Sequence, residues 1–264
     1  MNRKDKGRFG HLELEHGPAR GKIAQDDPRR FDEAEYIKRA DSMYWKGEHE
    51  GALRLYSRAL GLNPHLEAGW VGQCKCLLAL DELKEVGLWA QKGLDYLPRS
   101  GELMAVQAVA LAREGHRAGA MRLSDRSIDG ADTTPFTWIA RAWALGHRGE
   151  KNADFCISKA VEKGGNNWQV LAEAAAYYVS RKQFGNAIQM LQKATTTNPD
   201  NPLLWFRLGR CYLNMGLRAQ AVAALEHACR REPGNLEFDE WLDKAKRQNP
   251  LSGILRRIFG KGQA

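Results

Sequence analysis

A 34-residue recurrence constrains this chain more than any other feature. Trp205, Leu208, Gly209, Tyr212, Gly216, Ala221, Leu225, Ala228 and Pro233 fall at fixed spacing, and 34 residues earlier stand Leu171, Ala175, Tyr178, Ala187, Leu191, Ala194 and Pro199. Further steps meet Trp138, Ala142, Leu145, Ala153, Ile157 and Ala160, then Met104, Ala108, Leu111, Gly115 and Ala120. Two more reach Trp70, Cys74, Leu77, Val86, Ala90, Gly93 and Pro98, then Tyr36, Ala40, Met43, Gly47, Ala52, Tyr56, Ala59 and Pro64. Six units fill 33–235, one residue short of six full periods. Ala142 and Ala153 are 11 positions apart where the other units have 12, which puts the shortening in the turn around Gly146–Lys151. A unit of this length cannot bury its apolar face alone, so neighbours must stack.

Small residues mark the close approaches. Ala40, Cys74, Ala108, Ala142, Ala175 and Gly209 form one ladder; Ala52, Ala120, Ala153, Ala187 and Ala221 form a second, with Val86 the exception. Small side chains let two helix backbones come together while larger apolar residues fill the space beside them. Proline after the second helix of a unit cannot continue that helix and sets the next turn. Asn201–Pro202, Asp27–Pro28 and Asn249–Pro250 read as N-cap and first helical residue, and Ser100 and Asn235 as further caps.

The pattern W-x2-L-G-x2-Y followed by Ala, an apolar or aromatic residue, Ala and Pro resembles the tetratricopeptide repeat family. The resemblance covers about three quarters of the chain and is weakest in the third unit, where Asp132 replaces proline and Ser124 and Ser127 replace apolar or small residues. It implies an all-α fold, a right-handed α-solenoid of six helix-turn-helix repeats at about 33–66, 67–100, 101–134, 135–167, 168–201 and 202–235. Residues 236–247, with Leu236, Phe238, Trp241, Leu242 and Ala245, read as a solvating cap helix, Trp241 packing on the sixth unit. The expected solenoid with its cap spans 28–248, between a basic arm over 1–27 without helical period and a basic tail over 249–264.

In this family the first helices line a concave surface that takes peptides. The matching positions are Ile37, Val71, Ala105, Ile139, Ala172 and Phe206; Asp41, Lys75, Val109, Trp143, Ala176 and Arg210; and Tyr44, Leu78, Ala112, Gly146, Val179 and Leu213. This wall is mainly apolar, with charge only near its ends, and lacks the Lys, Asn and Arg set with which some relatives clamp a C-terminal carboxylate. It suits an amphipathic helix or an extended apolar segment, with Phe206, Trp143, Ile139 and Tyr44 as anchors. The same positions equally fit packing between neighbouring first helices, so both readings stand.

After Pro250, Leu251, Ile254, Leu255, Ile258 and Phe259 share one helical face while Arg256, Arg257 and Lys261 take the other. About ten residues cannot cross a bilayer. They suit either docking on a solenoid, the chain's own or a partner's, or weak contact with an anionic membrane. Self-association through tail or groove is a further expectation.

Composition sharpens the partner question. The net charge is +8, but residues 1–31 hold +3 and 236–264 hold +2, leaving +3 on the 204 residues between. A near-balanced body argues against a nucleic-acid groove, which needs basic residues along a face. Met1–Gln25 has no apolar signal core, and no apolar run is long enough to span a membrane, so a cytoplasmic protein, peripheral at most to the inner membrane face, is expected. Cys74-Lys75-Cys76 points its two thiols some 200° apart on a helix and cannot grip one metal. The 7 histidines show no ligand or catalytic spacing, and there is no phosphate loop or nucleophile elbow. The expectation is a non-catalytic scaffold without cofactor or metal, its partner another protein.

Overall fold

In a computed structural model of the chain, residues 31–129, 133–146 and 149–247 are described; among them are thirteen helices and no strand. The helices fall into two compact units divided between Ala153 and Asp154. The first holds α1 (Glu33–Tyr44), α2 (His49–Leu62), α3 (Glu67–Ala79), α4 (Leu83–Tyr96), α5 (Gly101–Arg113), α6 (Arg117–Ile128), α7 (Pro135–Leu145) and the start of α8 (Glu150–Gly164). The second holds the rest of α8, then α9 (Trp168–Ser180), α10 (Phe184–Thr197), α11 (Pro202–Asn214), α12 (Arg218–Arg231) and α13 (Leu236–Arg247). Odd-numbered helices up to α11 are the first helix of a repeat and even-numbered ones the second. The all-α repeat fold is the one the sequence implies, and α13 spans the expected cap.

The small-residue ladders are where the helices touch. Ala40, Cys74, Ala108 and Ala142 are fully buried in the first unit, as are Ala52, Val86 and Ala120 on the second helices. In the second unit Ala175, Ala187 and Ala221 do the same. Gly209 shows why the residue must be small: a Cβ built there would stand 2.6 Å from Leu225 Cγ and 3.3 Å from the Ala221 carbonyl oxygen. Trp70, Leu77, Leu103 and Tyr56 fill the first core beside these contacts, and Leu204, Leu225 and Phe238 the second.

Five of the turns inside a repeat share one geometry. Gly47, Asp81, Gly115, Lys182 and Gly216 take positive φ of 90°, 63°, 87°, 57° and 73°. The next residue's amide then bonds back to the carbonyl five positions before it, as in Glu48 N–H to Met43 O at 3.0 Å and Leu217 N–H to Tyr212 O at 2.9 Å. This is the Schellman closure of a helix C-terminus. The fourth repeat, one residue short, departs from it. Its α7 stops after 11 residues at Leu145, and Gly146 turns at φ 61° and ψ −160°, a region open to glycine alone.

Caps follow side-chain chemistry. Ser100 Oγ accepts from Leu103 N–H at 3.0 Å, Asn201 Oδ1 from Leu204 N–H at 3.2 Å and Asn235 Oδ1 from Phe238 N–H at 3.2 Å. Asp32, Thr134 and Asn167 cap α1, α7 and α9 in the same way. Trp70 Nε1 donates to Pro64 O at 2.8 Å, and Trp205 Nε1 to Pro199 O at 2.7 Å. Each indole thus ties the first helix of a repeat to the loop before it. The expected caps at Asp27 and Asn249, the third-unit variant at Asp132, the basic arm and the tail lie outside the described residues.

Candidate functional site

The first helices carry the candidate groove positions, and the two units distribute them differently between core and surface. In the first unit Val71, Leu78, Val109 and Ile139 are buried, at 5%, 8%, 4% and 1% exposure. Their side chains are packed inside that unit rather than presented on its surface. Ile37, Tyr44 and Trp143 are half-buried on the rim of the same core. Tyr44 sits edge-on to Trp45, ring centroids 5.0 Å apart, and 5.2 Å from the His49 ring. The Lys75 ammonium lies 4.0 Å from the Phe136 ring centroid, a cation–π contact that fixes the side chain across its own helix layer.

Asp41 is exposed but engaged: it accepts a 2.5 Å hydrogen bond from the Tyr56 hydroxyl. Burial first, then this bond and the Asp41 charge, push the Tyr56 phenol far above its ordinary pKa, so it stays a donor. Cys76 is fully buried, and burial followed by Asp41 likewise raises its thiol. Cys74 is raised by burial and then by Cys76. Neither presents a thiolate at neutral pH.

In the second unit Phe206 and Leu213 are buried at 2% and 6% exposure. Phe206 stacks on Phe238 of α13 with ring centroids 4.5 Å apart, and Trp241 meets it edge-on at 6.4 Å. The foremost expected anchor is therefore covered by the cap helix. Arg210, one turn further along α11, is exposed; its guanidinium lies 4.6 Å from the Trp241 ring centroid and 5.4 Å from that of Phe206. Burial pushes the Cys211 thiol up to about 11, against the opposing pull of Arg210 and Arg207.

Sequence reasoning missed three things here. Arginines close helix C-termini: Arg113 donates to Leu78 O at 2.6 Å and to Asp81 Oδ1 at 2.7 Å, Arg117 to Leu145 O at 2.5 Å, and Arg218 to Ala245 O at 3.1 Å. An open cleft of about 840 Å³ lies along the turns between repeats of the first unit, lined by Tyr96, Arg99, Ser100, Glu102, Arg126 and Thr134 among others. Lys244 of α13 joins Arg210 at Trp241, its ammonium 4.2 Å from the ring centroid. The i, i+3 spacing of Trp241 and Lys244 was the available signal for that last contact.

Among the described residues no three His, Cys, Asp or Glu side chains group as metal ligands, and no helix is long and apolar enough to cross a membrane.

Residues 178–239 match the family model described as tetratricopeptide repeat. Human IFIT1, in a dimer with m7Gppp-AAAA, aligns at TM-score 0.58 and 14% identity over 88% of this chain and 56% of that one. TTC0263, a TPR protein of Thermus thermophilus, aligns at TM-score 0.51 and 19% identity over 82% of this chain and 100% of that one. A chain of the APC/C hetero-tetramer Cut9–Hcn1 aligns at 0.50 and 12% over 81% of this chain, which spans only 43% of its length. At these identities the likeness is one of fold. No curated protein sequence matches the chain. The match covers the end of α9 through the start of α13, and the rest of the chain shares with these tetratricopeptide-repeat structures the fold of stacked helix pairs.

Proposed function

We propose that this tetratricopeptide-repeat chain is a non-catalytic scaffold that holds a peptide or helical segment of another protein against its first helices. The observation that carries the reading is the half-buried rim of the first unit. Ile37, Tyr44 and Trp143 each pack one side on the core and leave the other toward solvent. An apolar partner segment finishes their burial, and aromatic side chains gain most from that, at low cost in side-chain entropy. Burial of Val71 and Ile139 in the first unit supports a shallower site there than an open apolar groove.

The test is affinity capture from the native cell with the wild-type chain and a Tyr44→Glu/Trp143→Glu variant, the far-UV circular dichroism of both being compared. Loss of a specific co-purifying protein at unchanged helix content supports the reading; undiminished capture moves the contact elsewhere.

A second reading rests on residues 251–259, which lie outside the described residues. The spacing of Leu251, Ile254, Leu255, Ile258 and Phe259 against Arg256 and Arg257 favours an assembly factor resting on an anionic membrane surface. Liposome co-sedimentation of the full chain and a 1–249 truncation decides it: equal pelleting of the two removes this reading.

A further inference from the structure

Two cations share one indole at the cap of the second unit. The Arg210 guanidinium and the Lys244 ammonium lie 4.6 Å and 4.2 Å from the Trp241 ring centroid, so the two charges are less than 9 Å apart. That is close to a Debye length at physiological salt, where like charges still repel. Both side chains are exposed, and neither has a carboxylate partner among the described residues. Glu240 and Asp243 border the same surface hollow as Lys244 without an ion pair to it; Asp243 bonds Arg247 at 3.5 Å, and Glu226 pairs with Lys246 at 3.2 Å.

The platform beneath is rigid. Trp241 meets Phe206 edge-on, Phe206 stacks on Phe238, and both phenylalanines are 2% exposed. Arg218 holds the far end of α13 by donating to Ala245 O and Lys246 O. Trp241 is itself half-buried, so part of the indole stays open to solvent. Two cations positioned on a fixed aromatic, neither held in an ion pair, form a preorganised receptor for an anion.

We infer that Arg210, Trp241 and Lys244 form a docking site for an acidic segment of a partner protein, in which an Asp or Glu carboxylate bridges the two cations and its neighbouring side chain covers the indole. A carboxylate fits better than a polynucleotide, because residues 32–247 hold 29 basic against 27 acidic residues, a near balance that does not favour a phosphate backbone. This inference rests on the scaffold reading but places a contact on the second unit, apart from the Tyr44 and Trp143 rim.

The test titrates the full chain into a short fluorescein-labelled Glu/Ala peptide and follows anisotropy. Its Gln/Ala counterpart and a single-stranded oligonucleotide serve as further probes. Arg210→Gln and Lys244→Gln are each expected to weaken binding of the acidic peptide several-fold, and the pair roughly tenfold, with melting temperature unchanged. Raising salt weakens the wild-type complex in the same direction. Equal affinity of wild type and double variant overturns the site, as does equal binding of the Gln/Ala peptide. Preferential binding of the oligonucleotide through the same two residues overturns the choice of partner. The Tyr44→Glu/Trp143→Glu variant binds the acidic peptide like wild type, which separates failure of this site from failure of the rim.

Discussion

Phe206 of α11 stacks on Phe238 of α13 with ring centroids 4.5 Å apart and planes 26° from parallel. Both rings are buried at 2% exposure, so the pair joins the last repeat to its cap. Phe206→Ala therefore removes core volume, and the expected loss is about 3–5 kcal/mol of stability in the second unit. Urea denaturation followed by far-UV circular dichroism checks it. An unchanged midpoint would show that the ring is not packed as described. Phe206→Glu, which puts a charge into the same space, is expected to unfold the unit and is no test of ligand contact.

The repeat register was legible because it is written in residues whose size alone matters. Ala40, Cys74 and Ala142 are fully buried where helices meet, and at Gly209 even a Cβ would crowd Leu225. Caps at Ser100, Asn201 and Asn235 were legible for a similar reason, each resting on one local hydrogen bond. The groove was not, because exposure depends on what arrives from elsewhere in the chain. Phe206 and Arg210 lie on the same helix, and it is Phe238 and Trp241 of the cap that bury the first and stack on the second. Asp41 stands in the sequence as an isolated charge, and its partner Tyr56 lies 15 residues on, on another helix.

Gln73 stands at the position that Leu208 occupies in the sixth unit. It is fully buried, and neither its amide nitrogen nor its carbonyl oxygen has a hydrogen-bond partner. Desolvating an amide without replacing its bonds to water costs about 1–3 kcal/mol. Gln73→Leu, nearly equal in volume, is expected to raise the stability of the first unit by roughly that amount. The denaturation midpoint should rise with no change in slope. A fall would mean that Gln73 is satisfied in solution by a trapped water.

Lys182 takes φ 57° at the turn position where Gly47, Gly115 and Gly216 stand in other repeats. Left-handed backbone costs a side-chain-bearing residue about 1–2 kcal/mol, and glycine returns roughly half of that as extra freedom in the unfolded chain. Lys182→Gly is thus expected to stabilise by about 0.5–1 kcal/mol, while Lys182→Val destabilises, since a β-branched residue tolerates this region worst. Asp81, at φ 63°, gains less from the same change because its carboxylate accepts from Arg113 at 2.7 Å. Thermal melts of the three variants give the order; Lys182→Val as stable as Lys182→Gly would contradict the turn geometry.

His227 stacks on Trp205 with ring centroids 4.4 Å apart and planes 17° from parallel, and its Nδ1 is 3.1 Å from Arg231 Nη1. Burial against its neighbours, then the Arg230 and Arg231 charges, hold its pKa below the ordinary histidine value, with Glu226 opposing. Between the folded and unfolded pKa values the unfolded chain binds more protons, so stability falls as pH falls through that window. The contribution is fully present above the unfolded value, about 6.5, and is lost toward the lower folded value. Melting temperature is therefore expected to drop between about pH 7 and pH 5 more steeply for wild type than for His227→Gln, the two slopes agreeing above about pH 7.5. The arginine part is screenable, so salt should flatten the wild-type slope. Parallel curves for the two proteins across this range would show that protonation of His227 does not disturb the Trp205 stack.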